Sequence, residues 1–340
     1  MRLKSALRRG VAAAVIAGIV VSSGIPAYAA RWDIANGDIT VKAGDTEGTN
    51  KVTQGETIDK DDTNTVITGK SDKNTVTIDT SEGNVDVTFD DLKIDVSGKA
   101  EGDVSGDGPV DAGKAAVTVQ GDHDATIELD GDNELKSGAG HAGLEHNKTD
   151  TSGELTIQDK DKNGSLEAAG GFKGAGIGSA GSNDAQVKIT GGNITATSDD
   201  WGAGIGSGSY GTGTVEITGG EINATGGYLG AGIGGGCNGS GNVTISGGTI
   251  TAAGGDGAAG IGGGYYNGAT VTITGDAVIK NASSTKYGAG IGGGNGSDGN
   301  VTISGNAKIE NATGGYGAAG IGGGAFSSPD KIGNGNVVIK

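Results

Sequence analysis

The sequence predicts an all-β chain wound as a single-stranded parallel β-helix, a solenoid with three short strands per coil and about 28–32 residues per coil. Three observations predict it. The tripeptide Gly-Ile-Gly recurs six times, centred on Ile177, Ile205, Ile233, Ile261, Ile291 and Ile321, at steps of 28, 28, 28, 30 and 30 residues. Between these marks, each coil carries two further segments that alternate apolar with small or polar residues, such as Val243-Thr244-Ile245 and Ile250-Thr251-Ala252. That alternation is the period-2 pattern of a strand with one buried face. Finally, Gly-Gly pairs and Asn-Gly turns separate the segments, placing residues that tolerate positive φ and close backbone approach at the corners.

The elements follow in order along the chain. Arg2, Lys4, Arg8 and Arg9 precede an apolar run from Val11 to Val21 and the small-residue site Ala27-Tyr28-Ala29, so residues 1–29 read as a secretory signal peptide cleaved after Ala29. The run is too short to span a membrane. Residues 30–65 read as an N-terminal cap segment, and residues 66–340 as the β-helix domain, continuing beyond or cut at Lys340. Middle strands are expected at Val85 to Phe89, Ala125 to Leu129, Glu154 to Ile157 and Val187 to Ile189. Each is followed by a third strand, at Leu92 to Val96, Asn133 to Leu135, Ser165 to Ala168 and Ile194 to Ala196. The step from Val87 to Ile127 is 40 residues, so Lys99 to Lys114 is an insertion, and insertions in repeats map to surface loops.

Composition removes several function classes. The formal charge is −17, and the four basic residues of the leader make the mature chain more acidic still. Only ten of the 41 acidic residues lie beyond residue 170, so the early coils carry most of the negative charge. Such a surface repels nucleic acid and anionic membranes. Cys237 is the single cysteine, so an exported chain must be held without an intrachain disulfide. Glycine and proline make up roughly 23% of the residues, just under the level at which aperiodic disorder becomes the better reading, and here the glycines are periodic. Gly-Ala-Gly-Ile-Gly-Gly resembles a dinucleotide-binding loop, but that loop needs a following helix within one βαβ unit. A motif repeated six times between strands is architectural.

Parallel β-helices also host pectin-cleaving enzymes, and the residues argue against both kinds. The lyases use an arginine base, whereas the mature chain has one arginine, Arg31, outside the repeats. The hydrolases need carboxylates clustered at defined separation, and Asp90-Asp91 and Asp199-Asp200 are the adjacent pairs in the strand region. His123, His141 and His146 show no metal-ligand spacing and read as isolated surface histidines. The chain is expected not to be an enzyme.

Two segments have the oxygen-ligand spacing of a calcium loop. Asp103, Ser105, Asp107 and Asp111 stand at positions 1, 3, 5 and 9 of an EF-hand-type loop with Gly108 at its sharp turn, a pattern that also looks locally like a dockerin repeat. Position twelve is Lys114, not a carboxylate, and a strand follows where a helix belongs. The second segment, Asp159 to Gly164 with Glu167, lacks position twelve as well, and an Asn-Gly corner explains it equally.

The signal peptide, the early strands Val76-Thr77-Ile78, Val85 to Phe89 and Ala115 to Val119, the stretch from Ala125 to Leu135 and the later Gly-Ile-Gly coils together resemble a known family. It is that of the β-helical carbohydrate-binding domain proteins on the surface of Gram-positive gut and cellulolytic clostridia. The resemblance covers about residues 60 to 340 and implies a right-handed parallel β-helix, calcium as a cofactor, and binding of acidic plant polysaccharide.

The aromatic residues carry the sharper functional signal. Phe172, Trp201, Tyr228, Tyr287 and Tyr316 each precede the isoleucine of a Gly-Ile-Gly by four or five residues, with Asp256 interrupting the series. Stacked coils would set these rings in one file, offering flat apolar faces to the pyranose rings of an extended glycan. A purely structural stack over the corner is the competing reading. Tyr210, Tyr265, Tyr266 and Phe326 form a second, weaker group after the same glycines. The expected protein is therefore secreted or displayed on the cell surface and binds polysaccharide without cleaving it. The alternative is a structural or adhesive stalk of a larger wall-anchored protein.

Overall fold

The computed structural model describes residues 30–98, 113–326 and 332–340. Residues 1–29, the expected leader, and the segment with Asp103, Ser105, Asp107 and Asp111 lie outside the described residues. Among those described there is no α-helix, and the strands form two sheets, of 19 and 12 strands. Three parallel ladders make up the solenoid. The first runs through Ile39–Ala43, Val76–Asp79, Val117–Gln120 and Leu144–His146 into the two-residue strands Ile177–Gly178 to Ile321–Gly322, each isoleucine paired with the next. The second carries the middle strands from Ala125–Asp130 to Gly335–Ile339, and the third those from Asp132–Lys136 through Val278–Ser284. Thr65–Ser71 and Val85–Asp95 run through both of these ladders, which is why the two count as one sheet.

Each Gly-Ile-Gly is a tight arch. The N–H of Ala231 donates to the carbonyl of Gly235 at 2.9 Å, and the same bond closes the arches around Ile205, Ile261 and Ile291. The arch pushes the isoleucine fully into the interior, where Ile205, Ile233, Ile261 and Ile291 are all 0% exposed. The glycine after it has no alternative. Gly234 has φ +130°, and a Cβ there would lie 2.0 Å from the carbonyl oxygen of Gly262 in the next coil. The preceding Gly232 is held by approach alone, with a Cβ only 2.6 Å from the Gly260 oxygen.

The coils change along the axis. The largest fully buried side chains, including Phe89, Leu92, Leu129, Leu144 and Leu155, belong to the first coils, whereas later coils are filled by Ile, Val and Ala. A smaller inward set goes with shorter coils. The step lengthens again to 30 residues where the third ladder bulges: Ile250 pairs with Ile279 but Thr251 with Asn281, leaving Lys280 out of register. Cys237, the single cysteine, is buried.

The solenoid begins earlier than the expected Val66. Arg31–Asp33 pairs in parallel with Val66–Thr68, and Ile39–Ala43 pairs in parallel with Val76–Asp79, so residues 31–43 already form a rung. Only Asn50–Gln54 and Thr57–Asp62 act as a lid, adding antiparallel strands to the open edge of the first ladder. The outer strand of that hairpin carries Asp59, Lys60 and Asp61 on exposed positions, and a charged edge resists further strand addition.

Two substitutions test this architecture. Ile233→Asp places an unpaired charge in the apolar interior and is expected to abolish the cooperative melt and protease resistance of the central coils. Gly234→Ala combines backbone strain, costing about 1–3 kcal/mol, with overpacking of about 1–3 kcal/mol. It should lower the melting temperature markedly, where an alanine at the exposed Asn242 should not. Unchanged melts for both core variants would reject the arch.

Candidate functional site

The rings that precede each arch do not form one file. Counting in the isoleucine register, Phe172, Asp200, Tyr228, Asp256, Lys286 and Tyr316 occupy one position of the coil, and Lys173, Trp201, Leu229, Gly257, Tyr287 and Gly317 the next. The expected series thus zigzags between two neighbouring positions. Phe172 and Trp201 meet at 5.4 Å between centroids, with the Lys173 ammonium 5.5 Å and 5.1 Å from the two rings. Tyr287 and Tyr316 meet edge-on at 6.3 Å. Tyr228 stands between these pairs, 57% exposed. In the adjoining coils Asp256 and Lys286 form an ion pair at 2.6 Å, and Tyr228 and Tyr287 lie close enough to help hold the Lys286 ammonium protonated, behind the larger effect of Asp256.

The second aromatic group lies against the first. Because the arch folds the chain back, residues four before and four after the isoleucine meet across successive coils. Cys237 N–H donates to the Trp201 carbonyl at 2.7 Å, Tyr265 to Leu229 at 3.1 Å, Asn295 to Gly257 at 2.7 Å and Ala325 to Tyr287 at 2.8 Å. The Tyr265 ring covers Gly257, where a Cβ would lie 2.6 Å from the ring. Its hydroxyl bonds that of Tyr266 at 2.9 Å, and Tyr266 stacks on Phe326 at 5.8 Å with the rings 27° apart. Burial, then the Tyr266 hydroxyl, pushes the Tyr265 phenol up to about 12, so it stays a neutral hydrogen-bonding group. Nine of the chain's aromatic residues thus share one edge of the solenoid; the other three are Tyr28, Trp32 and Phe89. The second group's sequence signal was its place four or five residues after three of the arch isoleucines, Ile205, Ile261 and Ile321; only the arch's backbone bonds join it to the first.

A different surface occupies the early coils. Glu128, Asp159 and Asp161 bring carboxylate oxygens within 4.8 Å of one another. Burial raises the Glu128 and Asp161 carboxyls above their ordinary range, with neighbouring acids adding to the effect. Asp159 is committed to its own corner, accepting from the N–H groups of Asn163 and Gly164 at 3.1 Å each. This is the Asn-Gly turn that the sequence offered as the simple explanation of the second calcium-type loop. Asp130 is likewise raised by burial and then by Asp90, Asp161 and Asp91, while Asp90 pairs with Arg31 at 2.5 Å. Asp200 is raised by burial and by Asp199.

His123 is exposed, as expected, but His141 is half-buried and His146 is buried. His146 is 2% exposed, and its ring bridges the Val119 and Gly153 carbonyls at 3.4 Å and 3.0 Å. His141 Nδ1 lies 2.8 Å from Glu145 Oε2, and Glu145 is itself buried. Gly143-Leu144-Glu145 occupies the ladder position that becomes Gly176-Ile177-Gly178 one coil later, so Glu145 and the following His146 put polar side chains in a transitional rung. His123 Nδ1 donates to the Thr80 carbonyl, 2.9 Å away.

The Glu145 hydrogen bond raises the His141 pKa, so the pair's stabilisation is fully present below the ordinary histidine value and lost as pH rises through the raised folded one. Melting temperatures between about pH 5.5 and 8.5 should fall across that window in the wild type. Glu145→Gln should flatten the slope; an identical slope in the variant would assign it to other groups.

Four segments match the beta helix repeat family: residues 187–209, 215–237, 243–265 and 301–325. Each starts on a middle-strand valine and runs through one arch of the following coil; the coil that begins at Val271 and contains the bulge at Lys280 is not among them. No curated protein and no solved structure matches the chain. Ladder geometry and repeat matches agree that this is a β-helical protein, a parallel solenoid built in part from beta helix repeats.

Proposed function

We propose that the protein is an exported, surface-associated, non-catalytic receptor for extended polysaccharide, bound along the aromatic edge. The observation that carries this reading is the gathering of nine aromatic residues on one edge of a chain otherwise poor in them. Coils repeat at about 4.8 Å, close to the length of one sugar residue in an extended glycan, so successive rings can meet successive pyranose faces. Phenol hydroxyls, Asp200 and the Asp256–Lys286 pair interleave polar groups that hydroxyls can bond. Lys173 and Lys286, set among the rings, favour a glycan that carries carboxylates.

One observation favours the structural alternative at part of this edge. Phe172, Trp201 and Tyr265 are half-buried, and Tyr265 covers a backbone gap at Gly257. Tyr210, Tyr228, Tyr266 and Tyr316 are exposed and are the stronger binding candidates.

Calorimetric titration decides between the readings. A long glycan should bind more tightly than its disaccharide, because linked contacts act at high effective concentration. Trp201→Ala with Tyr228→Ala should weaken the long chain by about tenfold, at about 0.5–1.5 kcal/mol per ring, with a small change in melting temperature. A double mutant that melts far below wild type yet binds normally when folded would make the stack structural. Calcium assistance belongs to the same proposal: millimolar calcium should raise the melting temperature by mass action. Asp107→Ala and Asp161→Asn assign the shift to one acidic loop or the other, and equal responses in all three proteins would leave diffuse acidity as its cause.

A further inference from the structure

Asp62 is a charged side chain at 0% exposure, at the end of a hairpin strand whose other five side chains are exposed. Its Oδ2 accepts from the indole Nε1 of buried Trp32 at 2.8 Å. Its Oδ1 accepts from the backbone nitrogens of Asn64 and Ala30, each at 3.2 Å. Among the described residues no lysine, arginine or histidine forms a salt bridge with it. A carboxylate taken from water and left with neutral donors alone is costly, and a cation at one of those donors removes much of the cost.

Ala30 is the residue that follows the small-residue cleavage site Ala27-Tyr28-Ala29. It is fixed in the first rung, its carbonyl accepting from Val66 N–H at 3.2 Å. We propose that Ala30 is the mature N-terminus and that its α-ammonium docks on Asp62, making a buried ion pair that exists only after processing. In the step, a signal peptidase hydrolyses the Ala29–Ala30 peptide bond. The water oxygen goes to the Ala29 carbonyl carbon as a carboxylate, and the Ala30 nitrogen, released as an amine, takes up protons to become an ammonium. The neutral N–H that faced Asp62 is replaced in place by a charged group with three donors. Processing thereby locks the first rung and its hairpin lid, on which the rest of the solenoid stacks. The proposal rests on the leader reading of residues 1–29 and is independent of glycan binding.

The test begins with the full-length chain expressed for export and its mature N-terminus read by intact mass and terminal sequencing. Ala30 is expected, and another first residue in the folded, exported protein would overturn the proposal. The mature form should then melt a few degrees above the same chain carrying two extra residues before Ala30, and Asp62→Asn should erase that difference. Equal melting of the two wild-type forms, or a difference that survives Asp62→Asn, would overturn it. Should Asp62→Asn fail to fold, acylation of the wild-type mature protein by an amine-directed reagent decides. The docked Ala30 amine should react more slowly than the surface lysines, and an amine that reacts ahead of them would sink the proposal.

Discussion

The close approach of stacked Gly-Ile-Gly arches is the constraint on which the later coils depend. Each of the first five arches leaves room for no Cβ on either side of its isoleucine, since the next coil's carbonyl oxygen occupies that space. In return, Ile177, Ile205, Ile233, Ile261 and Ile291 reach the interior and stack on one another, each buried side chain contributing roughly 1.5–3 kcal/mol. Stability is then a sum over coils and their interfaces, and the single cysteine leaves the coils to hold together without an intrachain disulfide.

The same arch organises the surface. It draws the chain inward at isoleucine and returns it outward on both sides, so two short loops per coil emerge next to each other. Residues at those loops are free of core duty and can vary, and that is where the aromatic side chains collect. The acidic early coils present a different face, with crowded carboxylates at the corner of Glu128, Asp159 and Asp161 and a wider interior filled by Phe89 and leucines. Ion pairs such as Lys188 with Glu154 and Glu216 run between coils on exposed surface, where pairs of this kind add little stability. One solenoid thus carries a polar, charged end and a nearly neutral, aromatic one.

The sequence by itself determined the fold class, the period, the three strands per coil and the inward residues, because alternation and glycine spacing are local signals that stacking can satisfy in only one way. It also marked the aromatic residues by their offsets of four or five residues from an arch isoleucine. It did not decide that Tyr265, Tyr266 and Phe326 lie against the rings that precede the arches. It misplaced the start of the solenoid at Val66 and took His146 for a surface group. Those matters depend on backbone bonds between residues about 36 apart, such as Cys237 to Trp201, and on partners such as Asp62 and Ala30 brought together by a rung of the helix. Periodicity specifies which face a residue takes within its own coil; only the closed coil decides what stands next to it.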